Sequence, residues 1–244
     1  MQLRHVKSAL PPADAIQKVT SLTWTPNNGR LAAVTTDKVV HLFDDAGERR
    51  DKFKTKPADA ATGGGYVVRA MAFSPDSSKL AIAQSDNIVF VYRLGADWAD
   101  KKSICNKFVQ SAPVTSLVWP KERHNEVVFG LADGKVKVGV LKTNKTFSLY
   151  AHPEGAYTVS LTASPDGQSI ISGHMDGAIF KFTFPATEGG PVAGHVKARA
   201  RAARSLPPAR GARAHLAVLL CRTSPVRPVL AVRAPHGACF LLQI

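Results

Sequence analysis

The stretch Val68-Arg69-Ala70-Met71-Ala72-Phe73-Ser74-Pro75-Asp76-Ser77-Ser78-Lys79-Leu80-Ala81-Ile82-Ala83-Gln84-Ser85-Asp86-Asn87-Ile88-Val89-Phe90-Val91-Tyr92 holds a complete grammar. An apolar alternation ends in an aromatic, Phe73. Ser74-Pro75-Asp76 turns the chain, because proline presets φ and aspartate bonds to nearby backbone. A short apolar strand follows, then an Asp-led tight turn at Asp86, then a strand that is apolar on both faces. That last feature predicts burial on both sides. The same order recurs over 19–43, 114–140 and 159–182. The aromatics Trp24, Phe73 and Trp119 stand 49 and 46 residues apart, and the turn aspartates Asp37, Asp86, Asp133 and Asp176 stand 49, 47 and 43 apart.

Units of about 40–45 residues, each with several short strands, are the mark of WD-type propeller blades. The sequence therefore predicts an all-β chain, a WD40-type β-propeller of about four blades. Repeats are expected near 19–56, 68–109, 114–150 and 157–184, with outer strands over 52–56, 104–109 and 145–150. Four blades lie at the lower limit of closed propellers, so an open, partial ring is expected. Its last blade would lack a neighbour, leaving strands such as 179–182 partly uncovered. Leu22, Trp24, Met71, Phe73, Leu117, Trp119 and Leu161 recur at matching positions and are read as blade core. The fourth repeat carries Ala163 where the others carry an aromatic. Residues 2–7 are read as a short strand of the kind that closes propellers.

The chain has 244 residues and a formal net charge of +14. The charge is unevenly placed. Residues 1–188 carry 23 Lys+Arg against 18 Asp+Glu, whereas residues 189–244 carry nine basic residues and no acidic one. The domain boundary is placed at 188. Beyond it an Ala/Arg/Pro-rich tail is expected to be without defined structure, or to derive from translated non-coding or alternatively spliced sequence. Three cysteines form no Cys-x-x-Cys pair, which fits free thiols in a reducing compartment. No apolar run reaches the ~18 residues of a membrane span, and no secretory leader is recognised. Asn144-Lys145-Thr146 matches a glycosylation sequon and is expected to stay unmodified.

The loop residues carry a more specific resemblance. Gly-Glu-Arg-Arg-Asp-Lys-Phe-Lys-Thr-Lys-Pro-Ala-Asp over 47–59, the stretches 70–92 and 97–108, and Phe-Gly-Leu-Ala-Asp-Gly-Lys-Val over 129–136 closely resemble the intraflagellar transport protein 172 family, large subunits of ciliary transport complex B. The resemblance covers about residues 1–184. It implies a non-enzymatic scaffold of the intraflagellar transport machinery, needed for cilium assembly. The implied partners are other complex B subunits and motor-associated proteins. The implied location is the cilium or flagellum with its basal body, plus a cytoplasmic pool. Members of that family continue with more blades and a long helical-repeat region; this sequence has neither, and its tail departs from theirs.

Residues that suggest chemistry have simpler readings. The four turn aspartates occupy one repeat position, where aspartate organises its own turn. The eight histidines lack metal-ligand spacing with cysteines or carboxylates, so no metal is expected. His174 is read as a turn or rim residue and His41 as a packed one. There is no Gly-x-Ser-x-Gly elbow, and Gly63-Gly64-Gly65 lacks the lysine of a phosphate loop, so no catalytic residue and no cofactor are expected. The rival reading is a basic protein that binds nucleic acid or anionic membrane through its arginine-rich tail. Phe240 is the only aromatic there, which leaves base stacking little to use, so no specific nucleic acid is expected.

Overall fold

A computed structural model describes Ala9, residues 18–59 and 65–184, and the strands 195–199, 229–233 and 239–243. The chain divides into two compact units, Met1–Ala200 and Arg201–Ile244. Of the second unit, a single antiparallel pair is described, Val229–Arg233 with Cys239–Gln243. The expected strand over 2–7 lies outside the described residues, as does most of the tail.

The first unit is four antiparallel sheets of four strands each. The first sheet is β1 (Val19–Trp24), β2 (Leu31–Thr35), β3 (Val39–Phe43) and β4 (Arg49–Lys54). The second is β5 (Val68–Phe73), β6 (Lys79–Gln84), β7 (Ile88–Arg93) and β8 (Ser103–Val109). The third is β9 (Val114–Val118), β10 (Glu126–Leu131), β11 (Lys135–Val140) and β12 (Lys145–Ala151). The fourth is β13 (Thr158–Ala163), β14 (Ser169–His174), β15 (Ala178–Thr183) and β16 (His195–Arg199). Strand order follows chain order throughout, so each sheet is a meander built from local turns. The inner strands β1, β5, β9 and β13 lie side by side in that order. The result is a partial, open propeller with no helix among the described residues. The fourth sheet takes its outer strand from beyond residue 188, within the stretch whose composition marks it as tail.

One packing step is repeated three times. The register puts Ala32, Val34, Val40 and Leu42 on one face of the first sheet, where they meet Met71, Phe73, Leu80, Ile82 and Phe90 of the second. Ala81, Ala83, Val89 and Val91 on the second sheet's other face meet Phe129, Leu131 and Trp119 of the third. Val128, Val136 and Val138 then meet Ile170, Phe180 and Phe182 of the fourth. Period-two alternation alone produces this, since successive side chains point to opposite faces. Each of the four inner strands also carries a register shift near the same end: between Val19 and Ser21, Val68 and Ala70, Gly130 and Leu131 across the β9–β10 ladder, and Thr158 and Ser160. A bulge at this place increases local twist.

The expected blade core divides in two. Met71, Phe73 and Trp119 are buried, and Leu117 and Leu161 are packed against the same clusters. Leu22 and Trp24 are not core: they are 62% and 48% exposed. The reason is the packing step itself. Their face is equivalent to the Met71/Phe73 face, which is covered by the preceding sheet, and among the described residues no sheet precedes the first. At the other end, Phe180 and Phe182 are covered by the third sheet, while Ile179 is half-buried and Lys181 exposed.

Phe182→Ala should therefore destabilise the chain by about 3–5 kcal/mol, the cost of emptying a filled core site. Leu22→Ala should change it by less than about 0.5 kcal/mol. Urea denaturation followed by circular dichroism checks the contrast, and equal losses would contradict the open end.

Candidate protein-interaction rims

The loops at the two ends of the strands form the surfaces a stack of sheets can offer, and each is braced by a repeated device. At the turn between the first two strands, a hydroxyl closes the loop. Thr25, Ser74 and Ser164 each accept a hydrogen bond from the backbone N–H five residues on, at 2.8, 2.9 and 2.8 Å. Asp76 and Asp166 add a second tie. Asp76 accepts from Ser74 Oγ, from the Ser78 N–H at 3.1 Å and from Ser78 Oγ at 2.7 Å. Burial works against the Asp76 charge, but these donors and Lys79 outweigh it and bring its pKa down to about 2. Asp166, held by Ser164 Oγ and the Gln168 N–H, is also lowered. In the third sheet this turn is irregular, as its sequence implies. There Trp119 Nε1 donates to the Arg123 carbonyl at 2.9 Å, and Arg123 pairs with the buried Glu126 at 2.6 Å.

The four turn aspartates do not act alike. Asp37, Asp133 and Asp176 each accept from the N–H two residues on, at 3.3, 3.3 and 2.9 Å, the arrangement the sequence implies. The Asp86 carboxylate instead accepts the Ala58 N–H, at 2.8 Å. Asn87 takes φ +66°, as Lys38, Gly134 and Gly177 take positive φ after the other three aspartates, so the turn shape is the same while the Asp86 carboxylate ties down the connection from the first sheet. Asp133 binds Lys135 Nζ at 2.6 Å. Gly134 takes φ +79°, and a Cβ there would stand 2.6 Å from the Ala156 carbonyl oxygen, so only glycine fits this turn.

The last such turn carries a histidine cluster. His152 Nδ1 accepts from the Glu154 and Ala156 N–H groups, so Nε2 holds the proton and donates to Asp176 at 3.1 Å. His174 Nδ1 donates to the Ala156 carbonyl at 2.9 Å, and its Nε2 accepts from Ser172 Oγ at 3.0 Å. Ser, His and Asp thus come together, but not as a nucleophile relay. Asp176 serves His152 while Ser172 serves His174, and Ser172 is fully buried. His174 ends strand β14 rather than lying in the turn, and it packs 5.3 Å from the Phe180 ring. Burial holds its pKa below the ordinary value, as does the nearby His152. No group of histidines, cysteines and carboxylates among the described residues could hold a metal.

On the outer side, Arg30 lies 4.6 Å over the Trp98 ring and donates to the Gly95 and Ala96 carbonyls, pinning the loop after β7 to the first sheet. An open cleft of about 490 Å³ beside it is lined by Arg30, Asp76, Lys79 and Arg93. A second open groove, about 580 Å³, runs between β4 and the 99–104 segment, with Lys56, Lys101 and the Asp51–Lys102 pair along it. Both are open and of mixed lining, suited to peptide or loop contact rather than to enclosing a small molecule.

The repeats are matched by the family description "WD domain, G-beta repeat" over residues 14–44, 59–93 and 143–182. These stretches are similar to WD repeats; residues 94–142, which hold most of the third sheet, lie outside the match. Over 192 residues, 78% of its length, the chain is 70% identical to "Intraflagellar transport protein 172" of Chlamydomonas reinhardtii. It is 51% identical over 185 residues to the "Intraflagellar transport protein 172 homolog" of Mus musculus, and 42% identical over 185 residues to "Intraflagellar transport protein osm-1" of Caenorhabditis elegans. The matched part spans about a tenth of the length of these relatives, 11% for the algal protein and 10% for the other two. The WD-repeat region is thus a close counterpart of the corresponding segment in intraflagellar transport protein 172. No described helix is long and apolar enough to cross a membrane. The basic residues on which the rival nucleic-acid or membrane reading rests lie largely outside the described residues.

Two pH effects follow. The folded-state pKa of Asp76 is depressed, so its contribution is held above the unfolded value of 3.8 and lost as pH falls towards about 2. Asp76→Asn should flatten the acid limb of a stability–pH curve in that window. His174 is also depressed, so its contribution is full above pH 6.5 and lost as pH falls below it. Urea midpoints should drop between pH 7.5 and 5.5, and drop less in His174→Gln.

Proposed function

We propose that the chain is a non-enzymatic protein-interaction scaffold of the intraflagellar transport machinery, acting in cilium assembly and in transport along the axoneme. The observation that carries this is the 70% identity over 192 residues to the algal intraflagellar transport protein 172. The match runs across strands and loops alike, and loops on a rigid stack of sheets are where such folds bind partners. The partners are other complex B subunits and motor-associated proteins. The working location is the cilium or flagellum and its basal body, with a cytoplasmic pool. The turn aspartates, the Thr25/Ser74/Ser164 clamps and the histidine cluster serve this role by fixing loop shape.

The test is expression of the full tagged chain in a ciliated cell. It should enter cilia and co-purify with complex B subunits, and removal of residues 189–244 should leave both properties intact. Exclusion from cilia together with failure to co-purify would overturn the proposal, and so would a complete loss of both on removing the tail.

A further inference from the structure

The seam between the first two sheets opens into a groove that the next seam does not repeat. At each seam an outer strand faces the segment that leads into the outer strand of the following sheet. Between the second and third sheets, side chains close that gap. Asn106 of β8 donates to the Leu141 carbonyl at 2.8 Å and to Asn144 Oδ1 at 3.1 Å, and the Lys107 N–H reaches the same Asn144 oxygen at 3.3 Å. Between the first and second sheets, β4 and the neighbouring chain are tied at two points. Lys102 Nζ binds Asp51, and the Lys56 N–H donates to Tyr92 Oη at 3.3 Å. Along β4 between these ties stands Phe53, in the open groove of about 580 Å³. The floor there is apolar. The Phe53 ring lies 5.1 Å from that of Tyr92, and Ile104 is opposite Tyr92 in the β7–β8 ladder. Phe53 and Ile104 are half-buried, so part of each stays open to the groove.

The walls are cationic. Five lysines line the groove against two aspartates, and both aspartates are already engaged. Asp51 binds Lys102 across the seam and accepts the Lys52 N–H at 2.7 Å. Asp100 accepts the Asp97 N–H at 3.0 Å within its own loop. Lys52, Lys54 and Lys56 on one wall and Lys101 on the other are exposed, and no carboxylate among the described residues pairs with them. An apolar floor between walls of one sign selects a ligand that is apolar along its middle and anionic on its flanks.

We propose that this groove binds an extended acidic segment of another polypeptide, which lays an aliphatic side chain on Phe53 and Ile104 and offers carboxylates to Lys54, Lys56 and Lys101. Charge decides against a second copy of the chain. Its densest acidic run, Asp44-Asp45-Ala46-Gly47-Glu48, leads directly into Arg49 and Arg50, and residues 189–244 hold nine cations and no acid. Nucleic acid and membrane fit less well too. Asp51 and Asp100 would stand against their phosphates, and the apolar floor lies between two walls, away from a flat bilayer. The proposal goes beyond the transport reading: it rests on the groove alone and holds whatever machinery the chain serves.

The test uses the full 244-residue chain and a fluorescein-labelled ten-residue probe, Leu-Leu flanked on each side by four Glu. Two control probes replace every Glu by Gln or both Leu by Ser. The acidic Leu probe should bind, more weakly as salt rises. The Gln probe should not bind, and the Ser probe should bind several-fold more weakly. The Lys56→Glu/Lys101→Glu variant should bind the acidic Leu probe about tenfold or more weakly. Lys145→Glu/Lys181→Glu makes the same change in net charge on the third and fourth sheets and should bind within about twofold of the unaltered chain. All four lysines are exposed, so unchanged circular dichroism and melting are expected. In the unaltered chain, zero-length cross-linking read by mass spectrometry should join probe carboxylates to Lys54, Lys56 or Lys101. Equal losses in the two double variants, equal binding of the Ser probe, or cross-links confined to other lysines would overturn the proposal. Tighter binding of single-stranded DNA or of phosphatidylserine vesicles, lost in Lys56→Glu/Lys101→Glu, would overturn it in favour of a phosphate ligand. A doubled mass by light scattering that the same variant restores to that of a monomer would overturn it in favour of a second copy.

Discussion

Burial of one sheet face against the next is the constraint from which the rest of the first unit follows. A four-stranded meander has two faces, and the central strands β6, β7 and β10 are apolar on both. Neither face can be left wet without losing roughly 1.5–3 kcal/mol for each aliphatic or aromatic side chain concerned. The solution is a stack in which every inner sheet lies between two neighbours. Leu80, Ile82, Phe129 and Phe182 are buried completely or nearly so because both the strands beside them and a sheet above them exclude water. Among the described residues, the first and the fourth sheet each have a neighbouring sheet on one face only.

The turns answer to the same constraint. A sheet packs flat on its neighbour only if the strands end in register, and the loops that end them must be compact. Thr25, Ser74 and Ser164 reach across their loops to the same backbone position, and an aspartate two residues beyond Ser74 and Ser164 holds the hydroxyl in place. Where the third sheet lacks that hydroxyl, a tryptophan N–H and an Arg–Glu pair hold the turn instead. Between sheets, the Ala58 N–H bound by Asp86 and the His152–Asp176 bond join a connection of one repeat to a turn of the next. The loops that give the molecule its interacting surface are therefore fixed by the polar groups that also align the sheets.

Such an arrangement suits recognition better than catalysis. The turn aspartates brace their loops, and the Ser-His-Asp gathering around His152 and His174 is split between two histidines, with Ser172 buried. The surfaces left over are shallow, charged and held rigid, and they vary from blade to blade while the framework repeats. The Arg30–Trp98 clasp and the lysines near β4 belong to this variable layer.

The elements were legible in the order of residues. Alternation, Asp-led turns and Ser-Pro-Asp punctuation act within a few residues, so strands such as Val39–Phe43 and Lys145–Ala151 can be read almost to the residue. The repeat spacing added the blade count and the open ring. Which of two equivalent faces is covered became visible only in the packed sheets. Leu22 and Met71 read identically in sequence, yet one is exposed and the other buried, because burial depends on a neighbour some fifty residues away. The same holds for the Asp86 carboxylate, which leaves its own turn for Ala58, and for β16, whose composition reads as tail but whose backbone pairs with β15. Local chemistry fixes how the backbone bends; the assembled stack fixes what each side chain meets.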